Sequence, residues 1–238
     1  MSTACHTDSV RTRLLAILAT ALLLAGCQGD SDDKKTDTSE LQKRLSAART
    51  TIDEAETVDV SLTAKSLPDG VTGVLSATGQ GNHSPAFKGK VKVVTGGSTL
   101  SADVVSAEGT LKAKTSFSPL FLEIDPASLG APDPAALLDA ENGVTRILEQ
   151  TKGLEEGEKS RDGSDVLTTI TGTLPGSVVS TIIPSADDAT TFNVAYRLTE
   201  DDELRDATLT GPFYPEGGDV TYIVKLTTSD KPVTIKVP

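Results

Sequence analysis

From Val58 onward the apolar residues of this chain recur at every second position, whereas the segment just before it repeats with the period of a helix. Leu41, Leu45, Ala48, Ile52 and Ala55 form one apolar stripe at helical spacing, with Ser39 placed as an N-cap and charged residues on the other face. Val58, Val60, Leu62 and Ala64 then alternate with Asp59, Ser61, Thr63 and Lys65, which predicts a strand with one buried face. Pro68-Asp69-Gly70 turns the chain into a second strand over Val71 to Thr78, and a loop follows from Gly79 to Pro85. In the strand Phe87 to Val93, Lys88, Lys90 and Lys92 point one way and Phe87, Gly89, Val91 and Val93 the other. Gly96-Gly97 is a hairpin signal leading to Leu100, Ala102 and Val104, and Glu108-Gly109 turns again into Leu111 and Ala113, set against Lys112 and Lys114. Connections this short imply antiparallel neighbours in a meander.

Residues 117–154 break the rhythm. Phe117 to Leu122 leads into the turn-rich apolar stretch Asp125 to Gly130. Asp133-Pro134 is an N-cap followed by Pro at the first helical position and predicts a short helix over Ala135 to Leu138. Asp139 is placed to cap a second helix carrying Val144, Ile147 and Leu148, with Gly153 as its stop. Glu155 to Asp165 is polar and reads as a loop, Val166 to Thr173 as a strand, and Pro175 to Ile183 as a helix bearing Val178, Val179, Ile182 and Ile183. Strands are expected at Thr191 to Leu198, Leu204 to Thr210, Val220 to Leu226 and Val233 to Val237, with Asp201-Asp202 and Gly217-Gly218 at turns. The sum is an α+β layout, an antiparallel sheet of nine or ten strands with a few helices on one face.

The N-terminus carries a different signal. Arg11 and Arg13 precede the apolar run Leu14 to Leu24, which is too short for a transmembrane helix and is followed by Ala25-Gly26-Cys27. Leu24-Ala25-Gly26-Cys27 looks like a bacterial lipobox, with diacylglycerol attached to the Cys27 sulfur and the signal removed before it. A diacyl anchor holds stably where a single chain holds marginally. The expected organisation is a signal peptide over residues 1–26, the lipidated Cys27 and a polar tether to residue 38, and a single domain over 39–238. As flexible coil the tether reaches roughly 18 Å.

With Arg11, Arg13 and Asp8 removed, 20 basic and 33 acidic residues remain, a net charge of −13. That balance argues against nucleic acid as a partner. An acidic body is also repelled by an anionic membrane surface, which leaves the holding to the lipid anchor. Cys5 leaves with the signal and Cys27 is acylated, so the exported domain has neither a disulfide nor a Cys-ligated metal. His83, in the loop Gly81 to Pro85, is its one histidine; any hydrolytic triad or histidine metal site would need it, and a solvated loop side chain is the expectation. Carboxylates such as Asp69, Asp162, Asp201 and Asp202 sit in turns, and no phosphate-binding or dinucleotide fingerprint is present. No catalytic residue, metal or cofactor is expected. Aromatic residues make up only 3% of the chain, and inward positions such as Ala64, Gly89, Ala102, Ala113 and Gly172 are small. Two interiors fit that composition: a thin dry aliphatic core, which composition alone favours, or an unfilled apolar space able to take an apolar ligand.

Several stretches carry a resemblance. FKGKVKVVTGGSTL at 87–100 with ADVV at 102–105, DPASLGAPDPAALLDAENGVTRILEQ at 125–150 and ITGTLPGSVVSTIIP at 170–184 resemble, in the same order, the LppX/LprAFG lipoproteins of mycobacteria and relatives. Over Thr57 to Gln80 only the pattern matches. The resemblance implies a half β-barrel, a curved antiparallel sheet with helices on its concave side around a hydrophobic cavity. It further implies a carrier of multi-acylated lipids, among them lipoarabinomannan precursors and triacylglycerides, anchored on the extracytoplasmic face of the membrane and working with a membrane lipid exporter. Carried onto this sequence, Val91 would line the cavity. With it go Phe87, Gly89, Val93, Leu100, Ala102, Val104, Leu111 and Ala113 from the sheet, and Val144, Ile147, Leu148, Val178 and Ile182 from the helices. Asn82, Ser84 and the loop near Asp125 would supply a polar rim. A surface module with a dry core and a secreted hydrolase are the other classes that the sequence leaves open.

Overall fold

The computed structural model describes residues 37–129, 131–215 and 217–238; the signal segment, Cys27 and the tether to residue 36 lie outside the described residues. Helix α1 spans Thr38–Asp53. Its N-cap is Asp37, two residues ahead of the expected Ser39: the Asp37 carboxylate accepts the Ser39 backbone N–H at 3.0 Å, and that bond holds the carboxyl below the usual carboxylate range. The stripe behaves as its spacing demands, with Leu41, Leu45, Ala48 and Ile52 buried.

Eleven strands follow: β1 Thr57–Ala64, β2 Gly73–Asn82, β3 Ala86–Thr95, β4 Ser98–Ala107, β5 Thr110–Thr115, β6 Leu122–Glu123, β7 Lys152–Asp162, β8 Asp165–Pro175, β9 Thr191–Leu198, β10 Leu204–Gly211 and β11 Val220–Ser229. They make one sheet in the order β6-β5-β4-β3-β2-β1-β11-β10-β9-β8-β7. The hairpins at Gly96-Gly97 and Glu108-Gly109 place both central residues at positive φ, the conformation that matches the twist of the flanking strands. Two antiparallel meanders, β1–β6 and β7–β11, are joined where β1 pairs β11 from Thr57↔Ser229 to Ala64↔Tyr222. The sheet curves without closing, and β6 and β7 are its two edges.

That order has a consequence for the chain between the edges. Residues 124–151 leave β6 at one edge and enter β7 at the other, so they cross the concave face. The crossing consists of 3-10 turns at Pro126–Leu129, Ala136–Leu138 and Val144–Arg146 and the short helix α2, Ile147–Gln150. Asp133 fixes its middle by accepting the Ala135 N–H (2.9 Å) and the Ser106 hydroxyl (2.6 Å). The Asp139 carboxylate accepts the N–H groups of Glu141 and Asn142, and Gly143 is extended, so the helix expected to run from Asp139 to Gly153 is split and ends at Gln150. Helix α3, Gly176–Ile182, adds to the same layer between β8 and β9.

Polar bonds tie this layer to α1 and to the sheet. Arg49 pairs with Glu149 and donates to the Ala140 carbonyl (3.1 Å), while Asp53 accepts the Thr145 hydroxyl (2.8 Å). His83 is partly buried, with Nδ1 2.7 Å from the Leu138 carbonyl and Nε2 2.8 Å from the Ile52 carbonyl. The turn between β2 and β3 is thereby fastened both to the end of α1 and to the crossing.

Three further expectations are corrected. The polar stretch 155–165 is not a loop but most of β7, an edge strand whose side chains, Leu154 apart, are largely exposed; charge is how an exposed edge avoids pairing with another chain. The stretch 79–82 is not a loop but the end of β2. A Cβ on Gly79 would lie 2.5 Å from Phe87 Cζ and one on Gly81 2.0 Å from Leu138 Cδ1, so these glycines mark close approach and not a turn. Residues 233–237 are not a strand. Both flanks of β1 are already taken by β2 and β11, and the tail is held by side chains instead, the Thr57 hydroxyl donating to the Lys231 carbonyl (2.6 Å) and Asn82 Nδ2 to the Val233 carbonyl (3.0 Å).

His83→Ala strips both carbonyls of their imidazole partner. Urea unfolding is expected to show a loss of about 1–2 kcal/mol; unchanged stability would mean that the fastening is incidental.

Candidate functional site

The inward positions of the first meander are short where they face one another. Val91 of β3 stands between Ala77 of β2 and Ala102 of β4, and Ala113 of β5 pairs with Val104. Side chains of this size on a curled sheet leave space above them. From the second meander Leu204, Ala207, Leu209, Tyr222 and Val224 face the same space, and β5 and β10 both border it. Six strand intervals separate those two strands, about 29 Å in a flat sheet, so the sheet must curl round the cavity. Its roof is the crossing: Ile124, Pro126, Leu129, Ala131, Pro132, Pro134, Leu137 and Leu138, then Val144, Ile147 and Leu148, with Ile182 and Ile183 from α3. The enclosed space measures about 420 Å³, within the range of ligand sites. The thin dry core that composition favours is therefore not what these residues build.

Phe87, Val91, Val93, Leu100, Ala102, Val104, Leu111, Ala113, Val144, Ile147, Leu148 and Ile182 all lie on the wall. Two expected residues do not. A Cβ on Gly89 would sit 2.8 Å from Phe87 Cζ, because that ring lies over it and takes its place on the surface. Val178, one turn before Ile182 on α3, packs against the core without reaching the cavity. The wall residues of the roof from Ile124 to Leu138 and those of β1, β2 and β9–β11 were missing from the expected set. The former carry no period to read, being spaced by prolines; of the latter, β9–β11 show clear alternation, but only the topology brings their face opposite β3–β5.

Polar atoms on the wall are nearly all satisfied within the protein. Tyr196 bonds Thr151 Oγ1 (2.8 Å), which donates to the Ile147 carbonyl (2.7 Å). Tyr214 and Tyr222 share a bond of 2.7 Å, and Tyr222 donates to the Val74 carbonyl (2.7 Å). Phe192, Phe213 and Tyr222 pack edge to face, with centroids 4.9 and 5.0 Å apart. The exception is Ser185, a wall residue whose buried Oγ has no hydrogen-bond partner. Of the expected rim, Asn82 and Ser84 lie away from the cavity and the loop near Asp125 lies at its wall. Asn82 is spent on Val233 and on the Ser84 N–H (3.2 Å), and neither residue touches the cavity. Asp125 caps Ala127 (3.0 Å) between two wall residues, Ile124 and Pro126. His83 is not a solvated side chain, since both ring nitrogens face carbonyl oxygens. Among the described residues no group of three His, Cys, Asp or Glu side chains is placed to hold a metal. Among the described residues Leu100 is the one lining residue that is exposed, 38% of its surface being accessible.

The family model described as LppX_LprAFG lipoprotein matches residues 40–237. The crystal structure of LprF from Mycobacterium bovis is similar with a TM-score of 0.66 at 16% identity, covering 84% of this chain and 98% of that one. That of the lipoprotein LppX from Mycobacterium tuberculosis is similar with a TM-score of 0.60 at 15% identity, covering 84% of this chain and 100% of that one. At these identities the likeness is one of fold. No curated protein matches the sequence significantly.

Burial raises the hydroxyl pKa of Tyr196, Tyr214 and Tyr222, which are all three tyrosines of the chain. Folding thus favours the protonated phenol. That contribution is complete below pH about 10, where a free phenol ionises, and is lost as pH rises toward the higher native values. In an alkaline titration, phenolate absorbance is expected to appear together with the loss of native circular dichroism; phenolate forming at about pH 10 in a protein still folded would contradict this.

Proposed function

The chain belongs to the LppX_LprAFG lipoprotein family, and on that premise we propose that it takes the acyl chains of lipids or glycolipids into the cavity and carries them between the plasma membrane and the outer cell envelope. The observation that carries the reading is the apolar, internally satisfied wall around about 420 Å³ of space. Such a wall offers an acyl chain burial at roughly 0.8 kcal/mol per CH₂ and offers a polar solute almost nothing to bond. Ser185 is the exception, and an ester carbonyl is the acceptor its hydroxyl suits. Cys27 supplies the anchor on the extracytoplasmic face, following the 1–26 signal, and a membrane lipid exporter is the loading partner in this reading. Lipoarabinomannan precursors and triacylglycerides are the cargo classes to look for first.

The two alternatives fit less well. A structural module would have a filled core. A hydrolase would need His83 or a carboxylate pair in a cleft; both ring nitrogens of His83 face backbone carbonyls, and neither it nor any Asp or Glu of the described residues lines the cavity.

The test is mass spectrometry of organic extracts from residues 28–238, expressed in an actinobacterial host and purified without detergent. Near-stoichiometric acyl lipid is expected, and a stable protein free of lipid would overturn the reading. Val91→Trp, at the centre of the small-residue wall, is expected to lower occupancy about tenfold or more while leaving the circular dichroism unchanged. Ser185→Ala is expected to keep the chains but shift the headgroup class recovered.

A further inference from the structure

The β5–β6 loop turns its apolar side chains outward. Phe117 is 84% exposed, Leu120 68% and Leu122, at the start of β6, 54%. The loop leaves β5 at Thr115, whose partner on β4 is Ala102, two residues from Leu100. The exposed patch therefore springs from the end of β5 that lies toward Leu100, the exposed residue of the cavity wall. Beside it lies a basic surface. Lys88, Lys90 and Lys92 of β3 and Lys112 and Lys114 of β5 share the outer face of the sheet. Lys114 also sits over the Phe121 ring, 5.2 Å from its centroid. On the strands β3–β6 these five cations face two carboxylates, Asp103 and Glu123. Asp103 pairs Lys90 (2.6 Å) and Lys114 (3.6 Å), and Glu123 stands opposite Lys112, whose Nζ also donates to the Pro238 carbonyl (2.6 Å). This basic surface belongs to a chain whose net charge is −12.

We propose that the β5–β6 loop and the lysine face dock this protein on a bilayer rich in anionic lipid, with Phe117 and Leu120 entering the headgroup region and Leu100 leading into the cavity. An aromatic and leucines flanked by lysines are the composition of a surface that lies in a membrane interface. The acidic remainder of the chain is repelled by the same bilayer, so attraction is confined to this face and orients the protein. An acyl chain then passes from bilayer to cavity along apolar surface, without crossing water. The proposal rests on the carrier reading for its cargo but not for the contact itself.

Residues 35–238 form one compact unit with its own core and lack the lipid anchor, so docking can be measured on them directly. The assay is sedimentation with vesicles of phosphatidylcholine alone or of equal parts phosphatidylcholine and phosphatidylglycerol. The mixed vesicles are expected to bind the protein, more weakly as salt rises, and the neutral ones to bind it less. Phe117→Asp combined with Leu120→Asp, and Lys88→Glu combined with Lys92→Glu, are each expected to weaken binding to the mixed vesicles by about tenfold or more, at an unchanged melting temperature because all four side chains are exposed. Wild-type protein that binds neither vesicle, as a loop meant for a protein partner would leave it, overturns the proposal, as does a loop variant that binds like wild type. Extracting the same preparations separates the two readings. Vesicle binding without co-purifying lipid supports docking and counts against the carrier, whereas co-purifying lipid without vesicle binding removes docking and leaves the carrier standing.

Discussion

An open sheet whose two edges are joined in sequence forces the chain to cross its concave face, and the rest of this structure follows from that crossing. With β6 at one edge and β7 at the other, residues 124–151 must pass from edge to edge, and the apolar side chains they turn to the cavity place them over the concave face. They span the gap with turns and one short helix, which is too little material to fill it. Interiors normally reach crystal-like density because side chains from both layers interdigitate. Here the lower layer presents Ala77, Ala102 and Ala113 where larger residues would be needed, and the upper layer presents prolines and branched aliphatics. The space left between them is a product of topology and side-chain size together.

The roof is held by the burial of Ala135, Leu138, Ile147 and Leu148 and by polar bonds at its margins. Arg49 with Glu149 and the Ala140 carbonyl, Asp53 with Thr145, Asp133 with Ser106 and His83 with Leu138 fasten it without using the apolar surface that faces the cavity. The strands are held by continuous ladders of backbone bonds, the roof by apolar burial and a few side-chain bonds. Segments of the second kind open at lower cost than sheets, so a roof built in this way can move without the sheet moving. The tyrosines serve the same separation. Their hydroxyls bond one another, Thr151 and the Val74 carbonyl, which lets three polar groups border the cavity without making it polar.

Charge is divided as sharply as polarity. The chain is acidic overall, yet the outer face of β3–β5 is lysine-rich because those strands alternate strictly, apolar residues inward and Lys88, Lys90, Lys92, Lys112 and Lys114 outward. One alternation thus builds both the cavity wall and the basic surface behind it. A single-residue slip of register would put the lysines into the cavity, so the two features are specified together.

The sequence by itself determined the elements whose burial is one-sided. The stripe of α1, the alternating strands β1, β3–β5 and β8–β11 and the turns at Gly96-Gly97 and Glu108-Gly109 are legible because each residue's partner environment is fixed by a local period. The pattern fails where burial is not periodic. In β7 only Leu154 is buried, so no alternation betrays a strand; at Gly79 and Gly81 the side chain is missing because a neighbour fills its place; and 233–237 alternates like a strand although β1 and β2, to which side-chain bonds hold the tail, are already paired on both sides. Tertiary structure alone decided the cavity. Its walls pair residues as distant in sequence as Ala77 and Leu209 and its roof has no period, so neither its volume nor the partnerless Ser185 hydroxyl follows from any local stretch. A pattern records which way a side chain faces, and only the folded chain decides how far away the opposite wall stands.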